Sequence, residues 1–559
     1  MNTTNDASTN MNESDFPLDL ESAKKIIMAL RNENIDLIRQ NEEQKEQIRI
    51  LRLREFAPSS EKRTVEDIRQ GRLFDEAEIH STAPLEDETE TVRISKVVYT
   101  RKKRGRKPLS PKLARIDMVI DVSEEEKNSV PDGYELKNIG EETSEQVHEI
   151  PQKYVVIRTV RPKYIAKPIT GSGIKKTDAP VRMLIAPVPA RILPRSIATP
   201  SLLSSVLTGK FCNALPFYRQ EKIFYRFGLE ISRQDMANWT IAVASKLEKY
   251  IELLKSELLS GPCVHSDETY FQVMNEQGKE NTSKSYMWVM TGGSGNKKVV
   301  LYNYNASREA NFISNFLISY QGFLMTDGYA GYNAIGEKEG IVHAACWAHA
   351  RRYFVEAFDA AFKKGSAGEI IEKIGTIYSI EKTLRKKYFG ELDNTNDVGL
   401  YAAFGAERKT AVEPILADIK KWLDIKSKEI LPSSALGKAV AYTLNIWSKL
   451  TSYLDCPFLT PDNNEAERAI RPFTIGRKNW VLSGSPRGAS ASATIYSLIE
   501  TLKLNKLEPY YALRYILTKL PTTPSDQIDY LLPWNLDPSN FHDLVVEDAR
   551  ISLDSTPVF

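Results

Sequence analysis

Three acids stand in segments of three different kinds: Asp267, Asp327 and Glu467. Asp267 lies in 263–273, an apolar and β-branched run that reads as a strand. Asp327 closes the apolar run 322–327 and is followed by the turn former Gly328. Glu467 lies in 461–472, where Pro461 and Asp462 precede helix formers and signal a helix start. Two acids at strand ends and a third on a helix can converge on hard divalent cations, which take oxygen ligands. Two such ions about 3.5–4 Å apart can hold both the attacking and the leaving oxygens of an in-line phosphoryl displacement. Gathered carboxylates repel, and bound cations are what stabilise their ionised forms. The expected cofactor is therefore Mg2+ or Mn2+, as a pair of ions.

The elements needed to position these acids are present in order. Two strand-like runs, 285–290 and 298–302, follow the Asp267 strand and are separated by turn formers at 292–296, which makes a meander. A helical pattern over 307–320, the Asp327 strand and a fifth strand at 341–346 come next. Three strands, a helix, a strand and a further strand, with acids on the first and fourth, is a ribonuclease-H-like arrangement. The expected fold is α/β and multidomain, with a mixed five-stranded sheet and helices as its core. The first part of that core spans 259–350, and the second, with Glu467, spans 461–520. The helical stretch 351–460 between them, including 361–387 and 412–430, reads as an insertion.

The residues resemble a known family, the bacterial insertion-sequence-66 transposases of the DDE class. The matching stretches are His265-Ser266-Asp267-Glu268-Thr269, Thr326-Asp327-Gly328-Tyr329-Ala330-Gly331-Tyr332-Asn333 and Cys346-Trp347-Ala348-His349-Ala350-Arg351-Arg352-Tyr353-Phe354. The longest runs from Asp462-Asn463-Asn464 through Glu467-Arg468-Ala469-Ile470-Arg471-Pro472 to Gly476-Arg477-Lys478-Asn479-Trp480, with Ile495 to Thr501 beyond. More thinly, the resemblance covers nearly the whole chain. It implies strand cleavage at the ends of a mobile element, then attack of the exposed 3′-hydroxyl on target DNA, with small accessory proteins as partners. A silent DNA-binding regulator and a metal nuclease that cuts without joining are the rival readings. Retention of all three acids weighs against the regulator.

Glu465 and Glu467 compete for the third position, because residues two apart on a helix do not share a face. The family pattern selects Glu467. Arg471, one turn on, together with Arg477 and Lys478, is expected to touch DNA phosphates. Seven positions after Glu467, where some relatives carry a basic residue, stands Thr474, so the assisting base stays open. Glu268 faces away from Asp267 on the strand and is expected to be structural. His265 shares the Asp267 face, either as support for the metal ligands or as a buried core histidine. His349 either lines the site, with Trp347 receiving a flipped-out base, or belongs to a helix start with a packed Trp347.

A chain of 559 residues exceeds one hydrophobic core, so several domains are expected. A net charge of +2 excludes a uniformly basic surface, leaving DNA contact to local clusters. Cys212, Cys263, Cys346 and Cys456 show no CxxC spacing and suggest reduced thiols. No run of about 18 apolar residues or signal-peptide core is present, so a cytoplasmic, nucleoid-associated protein without membrane contact is expected.

Residues 1–14 read as disordered. Over 15–56, Ile27, Asn34, Asn41 and Ile48 fall at one heptad core position and Leu30, Leu37, Gln44 and Leu51 at the other. Such a seam predicts a coiled coil and a homodimer or higher oligomer, although a single amphipathic helix packed on its own chain would show the same repeat. The linker 57–110 ends in an AT-hook-like arm in which Arg104 and Arg106 flank Gly105, suited to a narrow A·T minor groove. Relatives carry a cysteine-rich zinc module at about 111–170, but this chain has no cysteine before Cys212. His148 alone cannot make a tetrahedral site, so no zinc is expected. The helical region 171–258 contains an S-x-x-D box at Ser232 to Asp235 and reads as a helix-turn-helix presenting Arg233 and Gln234 to DNA, or as a plain helical hairpin. Residues 521–559 form a C-terminal tail.

Overall fold

The computed structural model describes residues 21, 24–34, 37, 41, 44–45, 48, 153–165, 183–336, 338–361, 365–390 and 397–554. The expected disordered start, the basic arm with Arg104 and Arg106, and all of the module at 111–170 except 153–165 lie outside the described residues. The seam residues from Ile27 to Ile48 are helical, and Ile27, Leu30, Leu37 and Ile48 are 64, 53, 52 and 51% exposed. Among the described residues no helix is long and apolar enough to cross a membrane.

Helices α1 (Pro200–Phe211), α2 (Phe217–Arg226), α3 (Arg233–Lys246) and α4 (Glu248–Ser260) lead into the central sheet. The capping box at the start of α3 forms as the sequence predicts. Ser232 Oγ accepts from the Asp235 N–H at 3.1 Å, and Asp235 Oδ2 accepts from the Ser232 N–H at 3.2 Å. Arg233 and Gln234 are exposed there, with the Gln234 amide donating to Asn238 Oδ1.

The sheet is built from β1 (Cys263–Val273), β2 (Lys284–Gly292), β3 (Val299–Asn305), β4 (Gly322–Thr326) and β5 (Ile341–Ala345), with β6 (Leu482–Ser483) pairing parallel to the end of β1. Its order is β3-β2-β1-β4-β5. The first three strands are antiparallel neighbours, as a meander demands, whereas β4 and β5 run parallel to β1. Burial on both faces explains the near-continuous apolar runs in these strands. Leu324 enters one core and its neighbour Met325 the other, as the two-residue period of a strand requires.

One face carries α1, α3 and α4 with three later helices, α10 (Asn464–Trp480), α11 (Pro486–Leu504) and α12 (Pro509–Lys519). The other carries α6 (Trp347–Ala360), α7 (Ala367–Phe389), α8 (Val398–Glu429) and α9 (Ala435–Asn445). A short α5 (Ala310–Phe316) lies between β3 and β4, well inside the helical pattern of 307–320. The segment expected to begin a helix at 412 begins at Val398, where Asp397 accepts from the Leu400 N–H, and continues through Pro414. Val412, Leu416, Ile419 and Leu423 are buried along one side of α8, and that burial outweighs the lost hydrogen bond.

Arg408 of α8 is fully buried and ties this helical layer to the segment leading into α10. It donates to the carbonyls of Leu459 and Tyr453, each at 2.8 Å, and of Cys456 at 2.9 Å. The C-terminal segment is packed rather than trailing: Ile528, Leu531, Leu532, Leu536 and Phe541 join the first core, and Tyr250 of α4 donates to the Leu531 carbonyl at 3.0 Å. Helix α13 (His542–Asp554) closes the described chain.

The exposed backbone of β3 is covered by α11. The Tyr302 N–H donates to Ser497 Oγ at 2.8 Å, the Val300 N–H to Thr501 Oγ1 at 3.1 Å, and Thr501 Oγ1 returns a bond to the Val300 carbonyl at 3.0 Å. At the far side, Ser452 Oγ donates to the His343 carbonyl of β5 at 3.2 Å.

Candidate active site

The parallel register of β1 and β4 sets His265 opposite Met325. Carried two residues further, the same offset brings Asp267 level with Asp327. Burial, and next to it the Glu268 charge, pushes the Asp267 carboxyl up to about 7; the charges of Asp327 and Glu467 add to this, and the Glu268 N–H opposes it. Asp267 is therefore within electrostatic reach of both Asp327 and Glu467. Asp267 Oδ1 accepts from the Glu268 N–H at 2.8 Å, and Asp327 Oδ1 accepts from the Tyr329 N–H at 2.9 Å.

The turn after Asp327 is held by its backbone. Tyr442 of α9 donates to the Asp327 carbonyl at 2.9 Å. Gly328 has φ +83°, and a Cβ there would meet Tyr442 Oη at 2.8 Å, so both the dihedral and the space require glycine. Thr326 Oγ1 accepts from the Gly328 N–H at 3.2 Å and bonds His343 Nε2 at 2.9 Å. Burial and then the Lys449 charge depress His343 to about 3, so it is a neutral member of this support.

Glu465 and Glu467, both in the first turn of α10, diverge as their spacing predicts. Glu465 Oε2 stands 3.8 Å from His265 Nε2, whereas Glu467 Oε1 stands 3.9 Å from His349 Nδ1. His265 is buried and bonds Asn463 Oδ1 through Nδ1 at 3.2 Å. His349 lines the same side as Glu467. Burial and then Arg352 lower its pKa while Glu467 and Asp327 oppose them. The Trp347 indole is fully buried, donating to the Leu450 carbonyl at 2.8 Å and packing edge-on against Trp447, so the expected option of stacking a flipped base on it is corrected to core packing.

Glu268 has a structural environment. Arg308 donates to its Oε1 and Tyr332 to its Oε2 at 2.6 Å, and the Arg308 guanidinium lies over the Tyr329 ring at 3.6 Å. Arg471 and Lys478 are exposed on α10. Arg477, expected at a phosphate, is engaged with β1: it donates to Thr269 Oγ1 at 3.1 Å and to the Tyr270 carbonyl, and lies over the Tyr270 ring. Both bonds are made by Nη1.

Reading the residues alone missed Asn463, which joins the acid-bearing elements. It is fully buried; its side chain donates to the Ser266 carbonyl at 2.8 Å, its N–H donates to Cys346 Sγ at 3.2 Å, and its carbonyl accepts from the Glu467 N–H at 3.1 Å. An Asn before a helix reads as a cap, yet its side chain makes no capping bond here. As a donor set, Asp267, Asp327 and Glu467 suit a hard divalent cation. Glu467 Oε1 is buried without a hydrogen-bond partner, and the upward pressure on Asp267 is what a cation would relieve.

A mixed sheet flanked by helices, with Asp267 inside β1 rather than at its expected end, Asp327 just past β4 and Glu467 in the first turn of α10, defines an α/β protein. The chain belongs to the transposase IS66 family, whose model matches residues 195–491. The IS66 C-terminal element matches 497–534, and a model described as transposase C of IS166 homeodomain matches 43–118. Membership marks it as a transposase, of a class that binds, cuts and rejoins DNA. Similar proteins include two from Sinorhizobium fredii (strain NBRC 101917 / NGR234). The uncharacterized protein y4jD is 31% identical over 416 residues, covering 72% of this chain and 76% of its own. The uncharacterized protein y4qI is 28% identical over 458 residues, covering 80% of each.

Proposed function

We propose that this transposase cleaves DNA at the ends of an insertion sequence and joins the freed 3′-hydroxyl to target DNA, using Asp267, Asp327 and Glu467 on a ribonuclease-H-like core. The observation that supports this reading is that Asp267 on β1 feels the charges of both Asp327, just past the parallel strand β4, and Glu467 on α10. The strand order, with a three-stranded meander joined to two parallel strands, supports the core assignment. Asp267, Asp327 and Glu467 would hold Mg2+ or Mn2+, and a pair of such ions supplies a sharpened oxygen nucleophile and charge neutralisation at the leaving oxygen. Asn463 holds the Glu467 turn against the Asp267 strand, and Tyr442 with Gly328 fixes where Asp327 points. Exposed Arg471 and Lys478 on α10, and Arg233 and Gln234 at the start of α3, are the cationic and polar groups placed to meet DNA.

Asp267→Asn, Asp327→Asn and Glu467→Gln should each abolish end cleavage and strand transfer on element-end DNA with circular dichroism unchanged. Glu465→Gln should retain both. Activity in Glu467→Gln together with its loss in Glu465→Gln would place the site on the other face of α10. Cleavage without joining by the parent protein would assign it to the nucleases.

A further inference from the structure

The N-terminus of α6 carries Cys346 and His349 three residues apart, facing Glu467. One ligand atom from each of these three lies within 4.8 Å of the other two. His349 Nδ1 and Glu467 Oε1 are 3.9 Å apart, too far to bond each other, and both are buried without a hydrogen-bond partner. We propose that Cys346, His349 and Glu467 form a zinc site, distinct in its donors from the all-carboxylate centre and sharing Glu467 with it.

The donor chemistry separates the two. Magnesium does not take thiolate, whereas zinc binds sulfur, imidazole nitrogen and carboxylate oxygen at about 2.0–2.3 Å. Those bond lengths place tetrahedral ligands about 3.3–3.8 Å from each other, so the trio needs to contract by about one ångström, which a side-chain adjustment supplies. Binding displaces the Cys346 thiol proton to solvent. Thiolate and carboxylate then balance the two charges of the ion, which suits a buried place. Burial pushes the Cys346 thiol up to about 12, the Asn463 and His349 N–H groups oppose it, and the charge of the ion is what would draw the proton off. The expectation of no zinc concerned 111–170, where ligands are missing; these ligands lie elsewhere.

Sharing Glu467 makes the consequence inhibitory. Zinc at Cys346 and His349 takes up a Glu467 oxygen that the all-carboxylate centre would need. That consequence rests on the proposed role of Glu467, whereas zinc binding itself does not.

The test uses the full-length chain, stripped with chelator and titrated with Co2+ as a spectroscopic probe, then with Zn2+. One equivalent of Co2+ should give a thiolate-to-cobalt charge-transfer band and tetrahedral visible bands, all displaced by Zn2+. Cys346→Ala should lose the charge-transfer band, His349→Ala should weaken binding at least tenfold, and Asp267→Asn should keep both band and affinity. His349→Ala keeps the test decisive should Cys346→Ala fail to fold. A parent protein without the band, a band surviving Cys346→Ala, unchanged affinity in His349→Ala, or loss of the band in Asp267→Asn would each overturn the site. Failure of the transposase reading shows instead in the strand-transfer assay, independently of these spectra.

Discussion

The side-chain amide of Asn463 donates to the backbone carbonyl of Ser266 at 2.8 Å, so the residue that begins the α10 helix is bonded to the strand position immediately before Asp267. Through its own carbonyl, Asn463 also accepts the N–H of Glu467. Two of the three acids are thus placed relative to each other by one buried residue, through its side-chain amide and its backbone carbonyl.

Replacing Asn463 by Ala leaves the Ser266 carbonyl and the His265 ring, both buried, without their partner. Stability should fall by about 1–3 kcal/mol, the cost of buried polar groups left unpaired. Cleavage should fall further than the folded fraction, because Glu467 loses its register against Asp267. Urea unfolding and a cleavage assay on folded protein check this, and a variant with parental stability and activity would sink the account.

Asp267 makes stability depend on pH in a definite direction. An unfolded Asp titrates at about 3.9, while burial and the Glu268 charge push it up to about 7 in the fold. The folded protein therefore holds the extra proton between about pH 4 and 7, and stability is lost as pH rises through that window. Asp267→Asn should raise the Tm of metal-free protein at pH 8 and leave it unchanged at pH 4. Comparison with the parent cancels other titrating groups; an equal difference at both pH values refutes the assignment. The same proton competes with cations, so Mn2+ affinity should drop by up to about tenfold per pH unit below 7.

DNA affinity should respond to the basic arm. Arg104→Ala with Arg106→Ala should weaken binding and lower the slope of log K against log salt by about 0.9 for each lost phosphate contact. A·T-rich sites should lose more than G·C-rich ones where these side chains read the minor groove. Equal slopes in double variant and parent would move DNA recognition to the helices around Arg233.

What the sequence made legible follows from periodicity and local chemistry. The apolar runs around Asp267 and Asp327 marked buried strands, and Ser232 with Asp235 marked a helix start, because each signal involves neighbours in the chain. Bonds between distant segments leave no such mark. Asn463, Arg408 and His343 are each defined by partners 17 to 198 positions away. The choice between Glu465 and Glu467 needed the family pattern, since spacing alone says only that they diverge.

The hydroxyls of Ser497 and Thr501 occupy backbone groups of β3 that an added strand would need, and Ser452 does the same for one carbonyl of β5. A sheet so fenced does not lend its margins to another polypeptide. Under the proposed function, copies that meet on two DNA ends would be joined by helices or by segments outside the sheet, and a strand released from a partly unfolded neighbour would have to displace these hydroxyls first. Loosening α11 would remove that protection first, so Ser497→Ala with Thr501→Ala is where self-association by strand addition would begin.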